Sequence, residues 1–163
     1  MKNSALMLAL LLLLVGCAAR QGGAPEEPEI DGLGVGQVMS PRDVPVGSYV
    51  LVDATEVNAE AAAAATSGEE WPRDPLEVAK RLTGPLTGRY VSIEKVDEPG
   101  ERAGATTVTV IDGSFLDDSV WGVWNRLLLT RMDDGTWRIT EARLAWRCYR
   151  GHQRDSFGER WCL

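Results

Sequence analysis

The 163-residue chain is poor in the residues that build common catalytic and metal sites: one histidine and three cysteines. With His152 alone, no site held by two imidazoles can form, and no Cys-x-x-Cys pair is present to hold zinc. Three cysteines are too few for a mini-fold built on disulfides. Basic side chains are outnumbered, 17 to 24, for a net charge of −7. Affinity for nucleic-acid backbones rests on Lys and Arg density, so no nucleic-acid partner is expected. Collagen-like, coiled-coil and wholly disordered classes fail on composition. Gly32-Leu33-Gly34-Val35-Gly36 lacks both a preceding strand and the lysine of a phosphate-binding loop. No cofactor is implied.

Long apolar runs are scarce as well. The one present, ALMLALLLLLV over residues 5–15, falls short of the ~20 residues that span a bilayer. Behind Lys2 it has the length and flanks of a signal-peptide core. It ends in Leu14-Val15-Gly16-Cys17, which resembles the lipobox of bacterial lipoproteins. The resemblance covers residues 1–17. It implies removal of a signal peptide, 1–16, and acylation of Cys17, so that the membrane becomes a partner through the lipid anchor. Several acyl chains at ~0.8 kcal/mol per buried CH₂ would make the attachment lasting. Ala18 resembles the sorting signal for the outer membrane, which implies a cell-envelope protein facing the periplasm, with the cell surface as alternative. A plain signal peptide with a chance cysteine, or a buried helix, is the competing reading.

Residues 17–38 are rich in Gly, Pro and acidic side chains with no apolar period, and read as a lipidated flexible linker. Glu26, Glu27, Glu29 and Asp31 would be repelled by anionic head groups, holding the domain off the membrane. Residues 39–163 then form a single domain.

Within it, Ser48–Val57 reads as a strand, and Asn58 as the cap of a short helix over Ala59–Thr66. Asp74-Pro75-Leu76-Glu77 has the pattern of a capping box, Gly84 is placed to stop the helix, and Leu76, Ala79 and Leu82 share its apolar face. Beyond Gly88 the period becomes two. Strands are expected over 89–96, with Val91 and Ile93 together, over 105–111, and over the long stretches 120–132 and 136–149, with Asp112-Gly113 as a turn.

Between the last two strands a three-residue loop with Gly135 left-handed pairs Trp137 with Arg131 and Ile139 with Leu129. A two-residue loop would oppose Arg138 and Arg131, a like-charge pair. The apolar positions then change parity, from Trp137 and Ile139 to Ala142, Leu144, Trp146 and Cys148. A bulge near Thr140-Glu141 is therefore required, bringing Trp146 opposite Val123 and Cys148 opposite Trp121.

Strand, helix, then four antiparallel strands is similar to the cystatin-like or NTF2-like superfold. The hairpin LLLTRMDDGTWRIT resembles the closing hairpin of small NTF2-like domains. The fold class expected is α+β, a helix packed on a bent antiparallel sheet of four to five strands. A small antiparallel barrel is the alternative. The superfold hosts enzymes, inhibitors and assembly modules alike, so it does not assign a function.

No catalytic residues are assigned. Ser119 or Ser156 with His152 could make a nucleophile–base pair, but neither serine lies in a nucleophile elbow. Asp53, Glu94, Asp112 and Glu141 lie on or beside strands and are read as outward-facing charges. The C-terminal stretch is the most individual: Trp146, Arg147, Arg150, His152, Arg154 and Trp161 form a candidate interaction surface, since Arg and Trp are enriched at binding hot spots. The competing reading is a stapled loop whose arginines pair with acidic neighbours. In an oxidising compartment Cys148 and Cys162, left over once Cys17 is acylated, form a disulfide. Together these features favour a non-catalytic lipoprotein that binds or scaffolds another envelope component. An inhibitor of a periplasmic or extracellular hydrolase, and an NTF2-like enzyme or small-ligand binder, are the alternatives.

Overall fold

The computed structural model describes residues 44–163. The expected signal peptide (1–16), the expected linker (17–38) and Cys17 lie outside the described residues. Strand β4 (Val120–Arg131) and strand β5 (Trp137–Cys148) form the central antiparallel hairpin. Arg131 pairs with Trp137 and Leu129 with Ile139, the register of the three-residue loop. Gly135 takes φ +83° there. Asp134 Oδ1 accepts the Thr136 N–H at 2.9 Å and its hydroxyl at 2.7 Å, closing the turn.

Leu128 faces Glu141 while Leu129 faces Ile139, so Thr140 is the extra residue of a bulge where the parity change requires one. Beyond it Ala142 faces Leu127 and Trp146 faces Val123. A second irregularity is a correction: Cys148 pairs with Val120, not Trp121. The cause is the close approach of Gly122 to Asp112 and Gly113 of the neighbouring strand. A Cβ on Gly122 would stand 2.7 Å from Asp112 O and from Gly113 Cα, so the strand kinks and Trp121 is left unpaired.

Strand β3 (Ala105–Gly113) pairs with β4, strand β2 (Tyr90–Asp97) with β3, and a two-residue β1 (Val50–Leu51) with the far side of β5. The order β1-β5-β4-β3-β2 gives an open, bent sheet, and the barrel alternative does not form. The expected strand over 48–57 is cut short at Leu51. Asp53 Oδ1 accepts the Thr55 N–H (2.9 Å) and hydroxyl (2.6 Å), turning the chain into helix α1 (Thr55–Thr66) earlier than the Ala59 start expected.

Helix α2 (Pro75–Thr83) has its expected bounds, with Asp74 accepting the Leu76 N–H at 2.8 Å and Gly84 at φ +73°. Its capping box is only half made, because Glu77 pairs with Lys80 (2.5 Å). The face it buries centres on Val78 and Ala79, with Leu76 and Leu82 at its margins. These pack on Val108, Val110, Leu127, Leu129, Ile139 and Ala142. Complete burial of Val78, at 0% exposure, contributes ~1.5–3 kcal/mol. Asp112 and Gly113 belong to β3 rather than to a turn.

The opposite face of the sheet is covered too, which the sequence pattern did not indicate. Phe157 lies on Ile111, Trp124 and Ala145, with Val44 and Val46 beside it. The Phe157 N–H donates to Pro45 O and its carbonyl accepts the Gly47 N–H, both at 2.9 Å. The start of the described chain and the C-terminal loop thus run side by side across this face. Among the described residues no helix is long and apolar enough to cross a membrane.

Asn58, expected as a cap, lies within α1 and does something else. Its Oδ1 accepts the Ile139 N–H and its Nδ2 donates to the Ile139 carbonyl, each at 2.9 Å. One amide side chain thus takes the place of a strand beside the bulge. Asn58→Ala is expected to cost about 1–3 kcal/mol in denaturant unfolding, since it orphans two backbone groups. A change below ~0.5 kcal/mol, within the range of ordinary surface substitutions, would show that these bonds contribute nothing.

Candidate interaction surface

The C-terminal loop is built on the end of β5. Cys148 and Cys162 are joined by a disulfide, with Cα atoms 5.5 Å apart and both residues buried against Val120. Trp146 and Gly158 exchange two backbone hydrogen bonds, 2.8 and 2.9 Å, so the returning chain extends the sheet edge. Gln153 organises the interior of the loop at φ +60°. Its Nε2 donates to Trp146 O (2.8 Å) and Arg160 O (2.9 Å), its Oε1 accepts the Arg160 N–H (3.0 Å), and its carbonyl accepts the Cys148 N–H (3.0 Å). Gly158 is needed there because a Cβ would meet the Gln153 side chain at 2.7 Å. Sequence reasoning missed Gln153. Its only signal is position, a lone amide inside a closed loop beside two glycines.

Of the six residues singled out, the structure splits the set. Trp146 and Trp161 meet edge to face with centroids 5.4 Å apart. Arg147 is structural, its guanidinium 4.4 Å over the Trp121 ring and its Nε donating to the Arg154 carbonyl at 2.9 Å. Trp121 in turn packs on Phe157 and Tyr90, so Arg147 closes an aromatic stack on the second face. Trp161 remains 59% exposed despite its contact with Trp146. Arg150 and Arg154 are exposed, as is Arg160, and none of the three has an ion-pair partner among the described residues. The loop is stapled, but its arginines are not matched by acidic neighbours. One loop thus presents an exposed indole and three guanidinium groups without ion pairs, a combination suited to an acidic, partly apolar partner surface.

His152 is half-buried, and its Nε2 is buried with no hydrogen-bond partner among the described residues. The Ser119 hydroxyl donates to Asp117 Oδ1 (2.7 Å), and no hydrogen bond joins His152 to Ser119 or Ser156. The nucleophile–base pairing is therefore not assembled. Asp117 also accepts the Val120 N–H, and the Ser119 hydroxyl, above all, holds its carboxyl below the usual carboxylate range. Among the described residues no three His, Cys, Asp or Glu side chains cluster as metal ligands.

The four carboxylates have separate roles. Asp53 closes the turn into α1, and Glu141 pairs with Arg143. Glu94 is half-buried on the second face. Asp112 corrects the outward-facing expectation: it is 6% exposed and accepts the Thr87 and Gly88 N–H groups at 2.9 and 2.7 Å, fastening the α2–β2 loop.

Comparison with known proteins gives no match to a family model, a curated protein or a solved structure. The architecture, two helices on an open five-stranded antiparallel sheet, therefore stands on its own geometry.

The disulfide closes a loop with a sequence separation of 14, for which chain entropy gives ~3 kcal/mol of stabilisation. Replacing both Cys148 and Cys162 by Ser is expected to lower unfolding stability by about that amount. Intact-mass analysis without reductant should find neither thiol alkylated in the folded wild-type chain. Two alkylatable thiols at these positions would contradict the bridge.

Proposed function

We propose that this protein is a lipid-anchored, non-catalytic component of the bacterial cell envelope, acylated at Cys17, whose C-terminal loop binds another envelope component. The observation that carries the binding role is the exposed Trp161, on a loop that also carries Arg150, Arg154 and Arg160 without ion pairs among the described residues and is closed by Cys148–Cys162. An indole with two χ angles loses little entropy on binding, and a stapled loop has already been ordered by folding. The disulfide supports an oxidising compartment, which agrees with the lipobox-like Leu14-Val15-Gly16-Cys17. The outer membrane facing the periplasm is the location the Ala18 signal favours. A partner that is a hydrolase, inhibited by this domain, is the second reading. The basic loop on a chain of net charge −7 would then meet an acidic patch near the enzyme's cleft.

Two measurements test the proposal. Mass spectrometry of membrane-extracted protein should find Cys17 acylated, and Cys17→Ser should release the domain from the membrane. Cross-linking in intact envelopes should recover a partner with the wild type, and Trp161→Ala with Arg150→Glu and Arg154→Glu should reduce that recovery at least tenfold, the effect of one hot spot. Unacylated wild-type Cys17, or undiminished recovery with a folded triple variant, would overturn the corresponding half.

A further inference from the structure

The two edges of the sheet are treated in opposite ways. The outer edge of β5 is occupied along its length: Asn58 at Ile139, Val52 at Ala142, β1 at Arg143 and Leu144, Gly158 at Trp146 and Gln153 at Cys148. The outer edge of β2 pairs with nothing among the described residues, although β2 is an eight-residue strand without proline or a bulge. Such an edge is a template for another strand.

The backbone and side chains of β2 agree on what that strand would be. Glu98 N–H donates to Ala105 O at 3.0 Å, which places the even-numbered residues of β2 in hydrogen-bonded pairs with β3. Val91, Ile93, Lys95 and Asp97 therefore direct their N–H and C=O groups outward. Their side chains lie on the helix face, but α2 packs chiefly across β3, β4 and β5. Val91 and Ile93 remain 44% and 41% exposed as a result. Beside them a groove of about 370 Å³ opens between Leu76, Ala79 and Leu86 on one side and Ile93 on the other.

We propose that β2 pairs antiparallel with β2 of a second copy of this chain, about a two-fold axis at Ile93. The register is selected by overlap and charge, since a centre at Val91 would set Lys95 and Asp97 opposite Thr87 and Pro85, outside β2. Centring on Ser92 would set Arg89 opposite the second copy's Lys95, and centring on Glu94 would oppose two glutamates. Centring on Ile93 sets Ile93 against itself, Val91 against Lys95, and Arg89 against Asp97, with no like-charge pair. Arg89 has no ion-pair partner among the described residues, while Asp97 is shared with Lys95 at 2.6 Å. The two-fold keeps both helix layers on one side of a ten-stranded sheet, so Val91 and Ile93 of both copies close over the exposed margin. The contact is a strand pair with a narrow apolar stripe, at the low end of interface size, and the dimer is reversible. It uses a surface separate from the C-terminal loop.

The test is disulfide trapping in the full-length chain under mild oxidation, with the wild type setting the background. Ile93→Cys is expected to give a cross-linked dimer, and Leu51→Cys, more exposed but on the two-residue β1 at the opposite edge, is not. Val91→Cys alone should give none, whereas Val91→Cys mixed with Lys95→Cys should cross-link, which fixes the register. In the Ile93→Cys background, Arg89→Asp and Asp97→Arg should each lower the yield about fivefold, and their combination should restore it. Trapping of Ile93→Cys no stronger than of Leu51→Cys, or equal trapping of Val91→Cys with itself, would overturn the proposal.

Discussion

One extra residue in β5 decides which side of the strand meets the helices. Before Thr140 the core-facing positions are Trp137 and Ile139, and after it they are Ala142 and Leu144. Without the bulge, Glu141, Arg143 and Arg147 would turn toward α2, and Ala142 and Cys148 would turn away. Burying charges without partners costs several kcal/mol each, far more than the bulge itself. The helix-side core, the placement of Cys148 for its disulfide and the stacking of Arg147 on Trp121 all depend on this one offset.

A bulge bends the strand and breaks the regular spacing of its outer N–H and C=O groups, so an ordinary neighbouring strand cannot follow it. This explains why β1 is only two residues long and why α1 approaches so closely. It buries only the small side chains Ala61 and Ala64, and its Asn58 meets both backbone groups of Ile139. At the other end of β5 the C-terminal chain does the same work through Gly158 and Gln153.

Much of this was legible in the sequence because it rests on period and parity. Strand alternation, the three-residue loop at Gly135, the bulge and the Asp74–Gly84 helix bounds are local constraints, and each appears where the pattern requires it. What escaped was tertiary. Asn58 and Gln153 look like any polar residue until the chain brings Ile139 or Arg160 to them, across a separation of 81 in one case and 7 in the other. Asp112 read as half of a turn because Asp-Gly is a turn pair, whereas the backbone donors of Thr87 and Gly88, distant in sequence, hold it in a strand. The second-face core was hidden because Val44, Val46 and Phe157 lie in segments with no period. For the candidate surface, composition pointed to Trp161, Arg150 and Arg154, but not to the internal role of Arg147.

Deleting Thr140 tests the central constraint most directly. With the extra residue removed, the parity of β5 after Ile139 can no longer serve both halves of the strand. The account predicts loss of cooperative unfolding, together with loss of amide protection through Ala142–Cys148 in hydrogen exchange. A deletion variant that unfolds cooperatively with wild-type stability, and still pairs Ala142 with Leu127 and closes Cys148–Cys162, would contradict it.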